Sequence, residues 1–243
     1  MNARCADDSP DAERTCEPAP RLSVLVPVAQ DAARAYAQLR MMAPLRRCGV
    51  ELIAIRCAAD AHADAARMLR HLASRLLTVP GSLPAQYNAA AAFARADVLL
   101  LLPEGVLLPS FADQLVEHAL EQNGGDWGWF DVRCTRGLRG WFATAWIRLR
   151  ASWRARLHRT HPVFVRRTAF MAVGGVPPDA ACVPAALGRR LMESARKPVR
   201  IRAPALAGYR WIVAPCTEKV GKGREYCDGT VESAGRPWRP LAR

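Results

Sequence analysis

The chain has 243 residues, 51% of them hydrophobic and 23% charged, and Lys plus Arg outnumber Asp plus Glu by 35 to 22, a formal charge of +13. That length and apolar content suffice for a buried core and exclude a disordered polypeptide. The cationic excess favours phosphates, anionic lipid or acidic partners, and it is concentrated: from Val132 to Pro178 there is no Asp or Glu, while Arg stands at 133, 136, 139, 148, 150, 154, 156, 159, 166 and 167.

Residues 1–20 carry five acids and no apolar run, so they read as a disordered acidic tail and lack the hydrophobic middle of a secretory signal. Arg21 opens a new regime. Leu22 to Val26 is a β-rich run stopped by Pro27, a buried strand ending in a turn. Asp31 is a candidate N-cap for a helix with Ala35, Leu39, Met42 and Leu45 on one side, closed by Gly49. Val50 to Ile55 repeats the strand; Asp60 to Ser74 places Ala65, Met68, Leu69 and Leu72 on one helical side; Arg75 to Val79 is a third strand stopped by Pro80. Pro84 to Arg95 is a helix with Pro in its first turn, leading to the apolar run Val98 to Leu102 and the loop Pro103-Glu104-Gly105. That run is far short of the roughly 20 residues a membrane-spanning helix needs.

Strands alternating with helices predict an α/β fold, a mostly parallel sheet with helices on both faces. Ligands of such sheets sit at the carboxyl ends of the strands, so the loops Pro27 to Gln30, Arg56 to Asp60 and Pro103 to Gly105 should line any site.

The second half continues with a helix over Ser110 to Gln122, a turn at 123–126 and a strand over Trp127 to Arg133. In the basic block, Phe142, Trp146, Leu149, Trp153 and Leu157 form one helical stripe, with Arg148, Arg150, Arg154 and Arg156 largely off it. Three readings of this helix stand side by side: a solvated face over a packed stripe, a contact with an anionic membrane surface, and nucleic-acid binding. The last is disfavoured, because no helix-turn-helix, RNA-recognition or zinc-finger signature accompanies the charge. Val163 to Val165 predicts a short strand, and Thr168 to Val173 and Ala185 to Ser194 predict helices. From Ala214 onward hydrophobic periodicity disappears, as in a loose polar tail. The eight Cys (5, 16, 48, 57, 134, 182, 216, 227) form no C-x-x-C pair and fit reduced, mostly buried thiols of a cytoplasmic protein, Cys216 and Cys227 being the pair least bound to that reading. His158, His161 and Cys134 fit no closed zinc site by spacing.

Six segments in this order, LSVLVPVAQDA, QYNAAAAFARADVLLLLPEGVLLP, WGWFDVR, VFVRRTAFMAVGGVP, GRRL and GYRW, carry a resemblance to glycosyltransferase family 2, in particular its small branch associated with radical-SAM or selenium domains. The resemblance runs from about Arg21 to Trp211. It implies a single domain over 21–213 with the GT-A fold of nucleotide-diphosphosugar transferases, between the acidic tail and a polar C-terminal segment over 214–243. By the same resemblance, Pro27, Val28, Gln86, Asn88, Arg210 and Trp211 would contact a nucleotide sugar.

Transfer of this kind uses a divalent metal, manganese or magnesium, to neutralise the diphosphate and a carboxylate to take the acceptor's proton. Here the chain departs from its relatives. The stretch after the second strand is Arg56-Cys57-Ala58-Ala59-Asp60, leaving only an out-of-register Asp60. The metal loop is Pro103-Glu104-Gly105, the G-D-Q element is Arg159-Thr160-His161, and the base motif is Ala181-Cys182-Val183-Pro184. Glu104 and Asp60 are the candidate catalytic acids that remain, each weighed against a plain role: a solvated turn for Glu104 and a helix N-cap for Asp60. No metal ligand set is assigned. The sequence therefore describes a sugar transferase of weakened or lost activity, or alternatively a binding protein that uses its basic helix on a membrane surface or an acidic partner.

Overall fold

The computed structural model describes residues 19–28, 32–57, 67, 69–122, 124–134 and 157–207. The candidate residues Asp60, Arg210 and Trp211, the arginines 148, 150, 154 and 156, the Asp31 cap, most of the segment 60–74 and the C-terminal segment lie outside these.

Eight strands form one sheet: β1 (Leu22–Pro27), β2 (Glu51–Cys57), β3 (Arg75–Val79), β4 (Val98–Leu101), β5 (Val106–Leu107), β6 (Trp127–Cys134), β7 (Val163–Arg166) and β8 (Pro198–Ala207). Their spatial order is β3-β2-β1-β4-β7-β6-β8-β5. The first four are mutually parallel; β7 runs antiparallel between β4 and β6, β8 lies parallel to β6, and β5 closes the far edge antiparallel to β8. The helices are α1 (Ala32–Met41), α2 (Ala43–Arg47), α3 (Leu83–Phe93), α4 (Ala112–Gln122), α5 (Arg167–Ala172) and α6 (Val183–Glu193). This is the mostly parallel, helix-flanked α/β domain that the alternation of elements predicts.

Successive strand residues point to opposite faces, so continuous apolar runs bury both. One face carries Val24, Leu52, Leu100, Phe130 and Phe164 under α1, α2 and α4 through Leu39, Leu45 and Val116. The other carries Leu25, Ile53, Leu99, Trp127, Trp129 and Val165 under α3, α5 and α6 through Tyr87, Phe170 and Leu187. Gly128, between the two tryptophans, is required by close approach: a Cβ there would run into the Val199 carbonyl oxygen of β8 and the Phe164 ring.

Three elements differ from expectation. The helix expected to run to Gly49 breaks after Met41, because Pro44 enters α2 near its start and supplies no N–H to continue the first helix. Strands β5 and β8 were not foreseen; β8 interleaves Val199 and Ile201 with Arg200 and Arg202 and carries Pro198 and Pro204, which mask its alternation. Cys48 is exposed, whereas Cys57 and Cys182 are buried, and none of the three is in a disulfide.

At the amino ends of β1 to β3, the fully buried Glu51 carboxylate accepts the Ser23 hydroxyl at 2.5 Å and the Arg95 backbone N–H at 2.9 Å. The Arg95 and Arg75 guanidinium groups approach it at 3.2 and 3.6 Å, and the Ala96 N–H donates to Ser23 Oγ. A carboxylate taken out of water is tolerable only when its charge and lone pairs are met in this way. The cluster ties three strands together at the edge away from the site.

Candidate functional site

The carboxyl edge of the sheet is built first by β1, β2 and β4. The Val28 N–H donates to the Ile55 carbonyl at 2.7 Å, and the Leu102 N–H to the Leu25 carbonyl at 3.0 Å, so the chain leaves β1 and β4 side by side. Pro27 and Val28 therefore stand next to the Pro103–Gly105 turn, where Glu104 is the single acid. The turn is fastened from α1: Gln38, buried, donates its Nε2 to the Pro103 carbonyl at 3.2 Å and to the Val106 carbonyl at 2.9 Å, while its Oε1 accepts the Gly105 N–H at 3.2 Å. Gly105 has φ of +69°, a conformation for which glycine is suited. Tyr87 of α3 adds a hydroxyl donated to the Leu102 carbonyl at 2.9 Å. The loop thus has a fixed shape with few charges of its own.

Helix α3 begins at this same edge, because it connects the carboxyl end of β3 to the start of β4. Gln86 in its first turns donates Nε2 to the Gly81 carbonyl at 3.1 Å, which closes the entry to the helix. Asn88 accepts the Val176 N–H and donates to the Val176 carbonyl, both at 2.8 Å. It fixes a loop in which Gly174 and Gly175 have φ of +72° and +68°, and a Cβ on Gly175 would meet Asn88 Oδ1 at 2.5 Å. In this structure the two amides brace backbone. Asn88→Ala strips both partners from Val176 and is expected to cost about 2 kcal/mol in urea unfolding, with Asn88→Asp, which keeps the acceptor alone, falling between.

The other half of the edge is formed by β6, β8 and the turn that enters β7. Asp131 of β6, 1% exposed, is held by Arg200 of β8 through paired contacts, Nε to Oδ1 at 2.7 Å and Nη2 to Oδ2 at 3.1 Å. The pair spans an irregularity: Phe130 is opposite Ile201 and Val132 opposite Ala205, so Asp131 alone matches Arg202, Ala203 and Pro204. In the adjoining turn His158 Nδ1 lies 3.0 Å from Thr160 Oγ1, and the His158 backbone N–H donates to His161 Nδ1 at 2.8 Å. Burial pushes the His161 imidazole down from 6.5 to about 4, a fall opposed by the His158 backbone contact and by the Asp131 charge and aided by the His158 and Arg200 charges. It is therefore a neutral ring at neutral pH.

Pro27, Val28 and Glu104 lie in the strand-end loops at one edge, and Gln86, assigned by the resemblance, lies in α3 next to the Gly81 carbonyl after β3, while Gln38, Asp131 and Arg200 were not singled out. Asp131 was detectable: it shares a β6 face with Trp127 and Trp129, and a carboxylate on an apolar face must have a partner. Gln38 gave no signal, since its partners are backbone groups distant in sequence.

Among the described residues no group of three or more His, Cys, Asp or Glu side chains is arranged to hold an ion, and the turn after β4 offers only Glu104. No helix among the described residues is long and apolar enough to cross a membrane.

No family model matches the chain, and no curated protein matches it. Solved structures do. A mannosyltransferase from Pyrobaculum calidifontis, in complex with GDP-Man and Mn2+, is similar over 77% of this chain and 56% of its own, with a TM-score of 0.58 at 15% identity. S. aureus TarS 1–349 in complex with UDP-GlcNAc covers 77% of this chain and 58% of its own, with a TM-score of 0.58 at 12% identity. Glucosyl-3-phosphoglycerate synthase from Mycobacterium tuberculosis covers 76% and 70%, with a TM-score of 0.53 at 16% identity. The chain thus spans little more than half the length of the first two, and at these identities the likeness shows the fold alone: the glycosyltransferase fold of the GT-A type.

Proposed function

We propose that this chain, a glycosyltransferase fold of the GT-A type, binds a nucleotide-diphosphosugar across the carboxyl edge of β1, β2 and β4 and passes the sugar slowly to an acceptor hydroxyl. The observation that supports this is the shared fold over about three quarters of the chain with structures that hold GDP-Man and UDP-GlcNAc. The six segments that resemble glycosyltransferase family 2 point the same way. Pro27 and Val28 would flank the nucleotide, and the turn fastened by Gln38 would face the diphosphate with Glu104.

The slow rate follows from the acids. In sugar transfer the leaving diphosphate gains charge, and the acceptor hydroxyl must lose its proton. A single carboxylate at the β4 turn cannot supply a metal site and a base together. At the first turn of α6, where the resemblance places the base, the chain has Cys182, Val183 and Pro184.

Isothermal titration with UDP, GDP, UDP-GlcNAc and GDP-Man, each with and without manganese, tests the proposal. Binding of at least one, with little dependence on manganese, is the expected result. Absence of heat with all of them overturns it. Glu104→Gln, which removes a negative charge beside the diphosphate, should tighten nucleotide binding in the absence of manganese.

A further inference from the structure

Arg56 stands near the end of β2, at the carboxyl edge of the sheet. It shares a strand face with Leu52 and Ala54, the face that α1 covers through Leu39. The neighbouring strands fix what lies beside it. Thr78 of β3 is its register partner, and because Pro27 of β1 is level with Ile55, Val28 follows at the level of Arg56, one strand spacing or about 4.8 Å away. The Val28 N–H donates to the Ile55 carbonyl at 2.7 Å, which holds that alignment. Val28 and Arg56 are half-buried and Thr78 is exposed, so the row opens to solvent.

The Arg56 guanidinium has no hydrogen-bond or ion-pair partner among the described residues. Other half-buried arginines are met: Arg167 donates to the Ala94 carbonyl at 2.7 Å, Arg190 to the Val173 carbonyl at 3.3 Å, Arg196 to Asp126 at 3.4 Å and Arg200 to Asp131 at 2.7 Å. Arg166 also lacks a side-chain partner among the described residues, but it ends β7 level with Val98, at the amino end of β4. Arg56 has its unmet charge at the other edge, where open α/β sheets bind their ligands. Glu104 stands at the turn after β4, on the far side of β1, and does not take up that charge.

A guanidinium keeps its charge, donates through five N–H groups and accepts nothing. It cannot receive a hydrogen bond from a base N–H or a ribose hydroxyl. A phosphate offers it oxygens at the spacing of its planar fork and a negative charge to offset its own.

We propose that Arg56 is a phosphate clamp at the end of β2, so that the site selects its ligand by phosphate rather than by base. The proposal rests on reading this edge as a nucleotide site, and it names the group by which the ligand is held. It also provides positive charge from the chain itself, at an edge where the described residues gather no metal-binding cluster.

The test is isothermal titration of the full chain, without metal, against uridine, 5′-UMP, 3′-UMP, UDP, GDP, ADP and inorganic pyrophosphate. UDP, GDP and ADP should bind with similar affinity, pyrophosphate should displace UDP, and uridine should bind about tenfold more weakly than the better monophosphate. A preference for 5′-UMP assigns the clamp to the diphosphate, and a preference for 3′-UMP assigns it to a phosphate on the ribose. Arg56→Gln should weaken UDP about tenfold, the scale of one charge-assisted hydrogen bond, with Arg56→Lys, which keeps the charge and loses the fork, falling between. Equal UDP affinity in Arg56→Gln overturns the clamp. So does a preference for GDP over UDP and ADP that Arg56→Gln abolishes, because the guanidinium would then be reading the guanine edge. Should Arg56→Gln fail to fold, the wild type decides: pyrophosphate that does not displace UDP overturns the clamp. UDP binding indifferent to the substitution removes the clamp alone, whereas pyrophosphate binding that needs Arg56, with no response to any nucleotide, removes the nucleotide reading alone.

Discussion

Arg200→Met is expected to lower the free energy of unfolding by about 3 kcal/mol, the scale for removing one member of a buried ion pair. The guanidinium meets both oxygens of Asp131, which is 1% exposed, so the substitution leaves a desolvated carboxylate without its bidentate partner. Asp131→Asn in the same background removes the charge and should recover most of the loss, and the difference between single and double variants isolates the pair. Urea unfolding of the wild type, two single variants and the double variant makes the measurement. Additive losses would mean that the two residues act separately. Because the pair also bridges the mismatch between β6 and β8, a loosened Asp131 should raise hydrogen exchange in Val199 to Ala207 before it does so in β1 or β2.

Acid is expected to destabilise the protein through the His161 ring. His161 titrates at 6.5 when unfolded and at about 4 when folded, chiefly because burial disfavours the imidazolium. Between those values the unfolded chain binds the proton and the folded chain does not, so stability is full above 6.5 and falls as the pH drops toward 4. The loss across that window is of order 3 kcal/mol. His161→Phe should flatten this part of the stability profile. Arg200→Met should shrink it as well, since the guanidinium holds the folded value down while Asp131 draws it up. An unchanged profile in His161→Phe would show that other groups dominate the acid response.

Much of the sheet was legible because its strands are short, mostly apolar runs, those of β1, β3 and β4 being followed by Pro27, Pro80 and Pro103. Leu22 to Val26, Arg75 to Val79 and Val163 to Val165 coincide with β1, β3 and most of β7. The helices over 84–95, 110–122 and 185–194 fall within about two residues of α3, α4 and α6, the usual uncertainty of helix ends. What escaped depends on pairing. β5 has only Val106 and Leu107 and exists because β8 offers it an edge. β8 holds alternate charges and two prolines, a pattern that local periodicity reads as loop. The site divides in the same way: Pro27, Val28 and Glu104 follow from strand ends, whereas Gln38 matters only because α1 folds back over the β4 turn. The sequence comparison also treated Arg159-Thr160-His161 as a mere loss of an acid. Burial turns that triplet into a fixed turn with a neutral ring, because His158 and His161 hydrogen-bond within it.

The reversed strand β7 has a practical consequence. Since it runs against β4 and β6, the carboxyl end of β6 at Cys134 and the amino end of β7 at Val163 lie at the same edge. The return point is anchored: Leu157 is buried with Trp127 and Gly188 close by, and Phe130 bonds to Pro162. Both anchors lie at one end of the β6–β7 pair, so a substitution at Leu157 or Pro162 should loosen that end of the two strands together while the β1, β2 and β4 half of the sheet keeps its protection from hydrogen exchange.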